Sequence, residues 1–159
     1  MKKIILVRHA KAEDTITSSD KERSLVAKGK KQAQFVAEKL KKIITPDLII
    51  TSSAFRALET AIIFATEMDY PHSKIVLNEQ LYYDYDKYFL VELISNYKNI
   101  DTVFIFGHNM PISEVAYDLA VGYKKSMQKS EALGIKFNVS DWNDVLKTNG
   151  EVFINQLPQ

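Results

Sequence analysis

Two of the three histidines in this 159-residue chain stand at the ends of apolar runs: His9 follows Ile4-Ile5-Leu6-Val7-Arg8, and His108 follows Thr102-Val103-Phe104-Ile105-Phe106-Gly107. Such runs read as buried strands, and the carboxyl edge of an open α/β sheet is where ligands bind. The first strand thus delivers a fixed cation, Arg8, and a nitrogen nucleophile, His9, to one pocket. A third piece is Thr51-Ser52-Ser53-Ala54-Phe55-Arg56, where a strand gives way to a helix. Arg56 lies near that helix's N-terminus, where exposed N–H groups and the positive end of the dipole favour an anion. Its guanidinium adds a forked donor suited to phosphate oxygens. Phosphoryl transfer calls for this set, because the migrating group spreads negative charge over three equatorial oxygens while nucleophile and leaving group lie in line. In that scheme Arg8, Arg56 and His108 hold the oxygens and His9 attacks.

The elements that must position these residues alternate along the chain. After the first strand, Lys11 to Lys21 is polar and suits a loop over the sheet edge. Ala33, Val36, Ala37, Leu40, Ile43 and Ile44 then recur at helical spacing, with Lys31, Lys39, Lys41 and Lys42 facing water and Pro46 as the stop. Asp47 to Thr51 reads as a strand, Ser52-Ser53 as a turn in which Ser52 caps the helix or donates to phosphate, and Ala54 to Met68 as a helix. Lys74 to Leu77 is a short strand and Lys87 to Tyr97 a helix. The strand carrying His108 follows, then a helix over Ile112 to Val121 opened by Pro111. Leu133 to Val139 alternates like a strand, and Val152-Phe153-Ile154 forms an edge strand after the Asn149-Gly150 turn. The expected architecture is a three-layer α/β/α sandwich with a mostly parallel central sheet and late antiparallel strands at one side.

Composition narrows the function classes. The length fits one domain over residues 1–159, with 46% hydrophobic and 26% charged residues and no low-complexity stretch. Lys+Arg total 21 against Asp+Glu 20, so no general pull toward nucleic acid or an anionic membrane arises, and anion recognition must be local. Cysteine is absent, which excludes disulfides, thiol catalysis and thiolate metal sites. The apolar stretch after Lys2-Lys3 is too short for a signal peptide and no span suits a membrane helix, so a cytoplasmic location is expected. Metal binding is disfavoured because an arginine beside each candidate ligand opposes a cation. No cofactor is expected.

Taken together, Arg8-His9 after an apolar strand, Ser52 through Arg56-Ala57 and Thr60, and Gly107-His108 resemble the histidine phosphatase superfamily, with its phosphoglycerate mutase-like fold. The resemblance spans about the whole chain, and its compact form is most similar to the SixA-type phosphohistidine phosphatases. Their opening Arg-His-Ala-Lys-Ala motif is similar to Arg8 to Ala12. Their Arg-Pro-Leu and Lys-Gly segment is similar to Arg23-Ser24-Leu25 and Lys28-Gly29, with Ser24 in place of the proline. The resemblance implies that His9 is transiently phosphorylated, that Arg8, Arg56 and His108 bind the phosphoryl group, and that a carboxylate protonates the leaving group. Glu79, in Asn78-Glu79-Gln80-Leu81, is the candidate acid; Gln80 interrupts the match to the Pro-Glu-Leu segment of relatives. Ala10 stands where the wider superfamily has glycine.

Other residues carry two uses each. Lys11 and Arg23 either touch substrate or are solvated, and Tyr82, Tyr83, Tyr85 and Tyr88 either rim a substrate mouth or pack against a helix. His72 belongs to a surface loop. The expected activity is a metal-independent phosphatase acting as a monomer on phosphohistidine in a protein, since a short chain has little material to enclose a small ligand. A phosphatase for a small phosphate ester is the enzymatic alternative, and a phosphate-binding module the non-enzymatic one. A pure binder gains nothing from the nucleophile His9.

Overall fold

Runs with apolar residues on both faces become the inner strands of one sheet. In the computed structural model, which describes residues 1–14 and 19–159, β1 spans Lys2–Arg8, and Ile4 and Leu6 enter one core while Ile5 and Val7 enter the other. Two-sided burial of this kind is what parallel strands need. β2 (Leu48–Thr51), β3 (Val76–Leu77) and β4 (Thr102–Gly107) join β1 in parallel, and β5 (Ala132–Phe137) and β6 (Glu151–Gln156) add antiparallel strands at one side. The strand order is β3-β2-β4-β1-β5-β6.

Helices cover both faces. α1 (Ala27–Leu40) and α2 (Phe55–Glu67) bury Ala33, Val36, Leu40, Ala61 and Phe64 against Ile5, Val7, Phe104 and Phe106. α3 (Lys87–Ser95) and α4 (Pro111–Leu119) bury Leu90, Ile94, Ile112 and Val115 on the opposite face, beside Trp142 and Val145. This is the expected α/β/α sandwich. None of its helices, among the described residues, is long and apolar enough to cross a membrane.

Two expectations are corrected, and a third falls partly outside the described residues. α1 ends at Leu40, so Ile43 lies beyond the last helical turn and is exposed, while Ile44 alone folds back into the core. The helix after β2 starts at Phe55 and has no side-chain cap; Ser52 is committed elsewhere, as described below. The Lys11–Lys21 loop falls partly on residues 15–18, outside the described residues; of its flanks, Ala12 bridges to Leu25 and Asp20–Glu22 forms a 3-10 turn.

Topology points to where a ligand fits. β1 and β4 are neighbours, yet the helix after β1 packs on one face and the helix after β4 on the other. Their carboxyl ends therefore diverge at a topological switch point, which leaves a crevice.

Candidate active site

Sheet register places the two histidines side by side. Arg8 pairs with Gly107, the N–H of His9 donates to the Gly107 carbonyl at 3.0 Å, and the His9 and His108 ring centroids lie 5.1 Å apart. β2 extends the same row, because the N–H of Ser52 donates to the Phe106 carbonyl at 3.0 Å. Glycine at 107 is required by a close approach: the Tyr85 hydroxyl lies 2.8 Å from where a Cβ would stand.

His9 is buried, and its Nδ1 lies 2.7 Å from the Ala10 carbonyl. A carbonyl can only accept, so Nδ1 carries the ring proton and Nε2 keeps its lone pair. Burial, followed by the charges of His108, Arg56 and Arg8, outweighs that hydrogen bond and holds the His9 pKa at about 3. The imidazole is neutral, which is the nucleophilic form. His108 is also buried and neutral, its pKa pushed down to about 4 by burial and then by Arg56. Its Nε2 lies 2.8 Å from Ser52 Oγ, and Ser52 Oγ also accepts from the Ala54 N–H at 3.2 Å.

α2 sets Arg56 against this row. Phe64 meets Phe106 and Phe104 edge-on at 5.1 and 6.5 Å, contacts worth about 0.5–1.5 kcal/mol per pair beyond burial. Thr60 ties the helix to the segment after His9: its hydroxyl accepts from the Ala10 N–H at 3.0 Å and donates to the Arg56 carbonyl at 2.6 Å. The Arg56 guanidinium donates to the Asp20 carbonyl at 2.8 Å and to Asp20 Oδ2 at 3.0 Å. Asp20 also receives Arg23 Nε at 3.0 Å and the Tyr82 hydroxyl at 2.5 Å. The Tyr82 hydrogen bond, with the two arginines, pulls the Asp20 carboxyl down to about 2.

Arg8 is held from the far side by a segment with no periodic signature in the sequence. Its Nη1 donates to the Met127 carbonyl at 2.8 Å, the Met127 N–H donates to Ser113 Oγ at 2.9 Å, and Ser113 in turn donates to Asn109 Oδ1. Ser130, at φ 67, gives its N–H to the Arg8 and His9 carbonyls at 3.1 and 3.2 Å. The buried Glu131 carboxylate accepts from Tyr123, Asn155 and the Gln128 N–H. Burial lowers the Arg8 pKa, and Glu131 partly opposes that.

Five buried side-chain polar atoms among the described residues have no hydrogen-bond partner, and three of them are Arg8 Nε, Arg56 Nε and His108 Nδ1. An unmet buried donor costs about 1–3 kcal/mol, so the two arginine nitrogens call for an acceptor.

The remaining candidates separate. Glu79 is exposed, ion-paired with Lys21, and accepts the Ser53 hydroxyl at 2.5 Å. Tyr82 sets its ring edge-on to His108 at 5.6 Å, and exposed Tyr83 meets Tyr82 edge-on at 5.0 Å, with Lys21 over both rings. Tyr85 is core and Tyr88 is exposed. Arg23 is half-buried on Asp20, while Lys11 and His72 are exposed. Sequence reasoning missed Asp20, Met127 and Glu131; the spacing of Asp20 three residues before Arg23 was the one local signal.

Comparison with known proteins gives a consistent outcome. Residues 4–97 match the family model of the histidine phosphatase superfamily (branch 1). The serine/threonine-protein phosphatase Pgam5, mitochondrial, of Drosophila ananassae is 42% identical over 74 residues, which cover 46% of this chain and only 25% of that protein. Among solved structures, the SixA structure from Agrobacterium tumefaciens superposes with a TM-score of 0.76 at 20% identity over 99% of this chain and 98% of its own. A protein histidine phosphatase SixA complexed with tungstate gives 0.75 at 19% identity, covering 96% and 95%. A mycobacterial glucosyl-3-phosphoglycerate phosphatase complexed with VO3 gives 0.72 at 14% identity, covering 97% and 98%. These likenesses are of fold: the sheet and its two helical layers are shared from end to end.

Proposed function

This chain belongs to branch 1 of the histidine phosphatase superfamily, and from that premise we propose that it is a metal-independent phosphatase working through a covalent phosphohistidine on His9, with phosphohistidine in a protein as its substrate. The carrying observation is the pair of unmet buried arginine donors, Arg8 Nε and Arg56 Nε, beside a neutral histidine with a free Nε2 lone pair. The arginines supply the positive charge that a metal supplies elsewhere, and they oppose a cation in the same crevice.

His9 Nε2 attacks phosphorus while the bond to the leaving nitrogen breaks, and the electron pair of that bond departs with a protonated imidazole, which leaves neutral. The His9 ring gains positive charge as its N–P bond forms, and the Nδ1–H bond to Ala10 strengthens with it. Water then attacks the phosphorus, phosphate departs, and Nε2 recovers its lone pair. An unactivated ester would need a proton at its leaving oxygen. The Glu79 carboxylate is already engaged by Lys21 and the Ser53 hydroxyl, which favours the phosphoramidate. The two apolar cores lie on the two faces of one sheet, in keeping with a single domain over residues 1–159.

The test is a rapid quench into alkali with labelled phosphohistidine protein. Label should be trapped on the wild type and not on His9→Ala. Equal trapping in both would remove His9 from the mechanism.

A further inference from the structure

We propose that Ser52 fixes the tautomer of His108, so that the neutral ring offers Nδ1–H and not a bare lone pair to the phosphoryl group. Ser52 is thus a positioning residue, and the proposal rests on the phosphate-handling role given to His108 above.

Ser52 is fully buried at the end of β2. A hydroxyl has one proton and two lone pairs. One lone pair accepts the Ala54 N–H at 3.2 Å, and the other neighbour of Oγ is His108 Nε2 at 2.8 Å. With Ser52 donating to Nε2, that nitrogen is the acceptor and the ring proton sits on Nδ1. Nδ1 is the buried atom without a protein partner, so its N–H is a donor held in reserve for a ligand oxygen. The opposite tautomer leaves two groups unmet, the Ser52 proton and the Nδ1 lone pair. It also turns that lone pair toward an incoming anion.

Protonating the whole ring would present the same N–H without help from Ser52. That route is closed near neutrality, because burial and Arg56 keep the ring neutral even though Asp20 draws the other way. His9 has the same tautomer to the opposite end: its Nδ1–H is spent on Ala10, and Nε2 is left to attack. One backbone carbonyl and one serine hydroxyl thereby make two adjacent imidazoles a nucleophile and a donor.

Two-bond nitrogen–proton correlation spectra of the 15N-labelled full chain at neutral pH read the tautomer directly, with His108 assigned by its loss in His108→Gln. The wild type should show a protonated Nδ1 and a pyridine-type Nε2 on His108. In Ser52→Ala the ring should move toward the Nε2–H form that an unconstrained neutral histidine side chain prefers. Vanadate affinity and kcat/KM should each fall roughly tenfold, the scale of one hydrogen bond. An Nε2–H ring in the wild type, or an unchanged tautomer in Ser52→Ala, overturns the proposal. The wild-type spectrum decides even where the variant fails to fold. Because the spectrum needs no substrate, a chain that hydrolyses nothing sinks the phosphatase assignment alone, and a phosphatase with an Nε2–H ring sinks this proposal alone.

Discussion

Acid should unfold this protein through its own active site. His9 and His108 are held neutral, at about 3 and about 4, against an ordinary 6.5. As pH falls below 6.5 the unfolded chain binds protons that the native state refuses, so stability is full above that value and drains as pH falls toward the folded pKa values. Each such histidine contributes a slope of about 1.4 kcal/mol per pH unit, and the two together about 2.7. Between pH 6.5 and 4.5 the loss reaches roughly 5 kcal/mol, a large part of the 5–15 kcal/mol of a typical domain. Carboxylates held low, Asp20 foremost, act in the same direction but only below their ordinary range near 4. Urea unfolding at half-unit pH steps measures the slope, and His108→Gln should halve it. A wild-type slope below about 0.5 kcal/mol per unit, or an equal slope in the variant, would show that the rings are not kept neutral by burial and the reasoning would fail.

Arg8→Ala and Arg56→Ala should each lower kcat/KM on phosphohistidine protein by about 10² to 10³, the scale for a preorganised donor; a milder loss would make that guanidinium peripheral. EDTA should leave turnover intact while vanadate inhibits it, and activity lost to chelation and restored by a divalent ion would refute the metal-independent assignment. Glu79→Gln should barely change phosphohistidine hydrolysis, whereas a loss on the 10² to 10⁴ scale of a missing general acid would install it as the proton donor. Gly29→Ala should destabilise the fold by roughly 1–3 kcal/mol in chemical melts, since the added Cβ would stand 2.2 Å from the Lys11 carbonyl; a shift within about 0.5 kcal/mol would mean that the backbone yields freely.

The sandwich was legible because its strands are unbroken apolar runs and its helices keep a 3.6-residue stripe. Thr102–Gly107 came out at its observed bounds, and Pro111 opens α4 as expected. Arg8, His9, Arg56 and His108 stand out because each sits near the point where one periodicity gives way to another; sheet register sets Arg8, His9 and His108 side by side, and α2 brings up Arg56. Ile43 misled because an apolar residue beyond a helix end keeps the spacing without the geometry. A serine before a helix offers a cap or a phosphate donor, and the sequence holds nothing for the third use seen at Ser52: its bond to His108 spans 56 residues and leaves no local trace. The Met127–Glu131 segment leaves no signal, and Asp20 only its spacing to Arg23, for a related reason: polar residues in irregular stretches look alike whether they face water or brace an arginine.

β4 enters the sheet between β1 and β2, although both precede it in the chain. His9 therefore has no partner ring, and Ser52 no imidazole to bind, until Thr102–Gly107 has been synthesised and has slotted into place. A ribosome-bound chain that stops short of that strand carries the nucleophile but not the cradle, and it exposes two strand edges awaiting the same insertion. Contacts this distant in sequence fold slowly. On the proposed function no turnover can precede the docking of this central strand, so the first catalytic event of a refolding molecule sets an upper bound on the time that docking took.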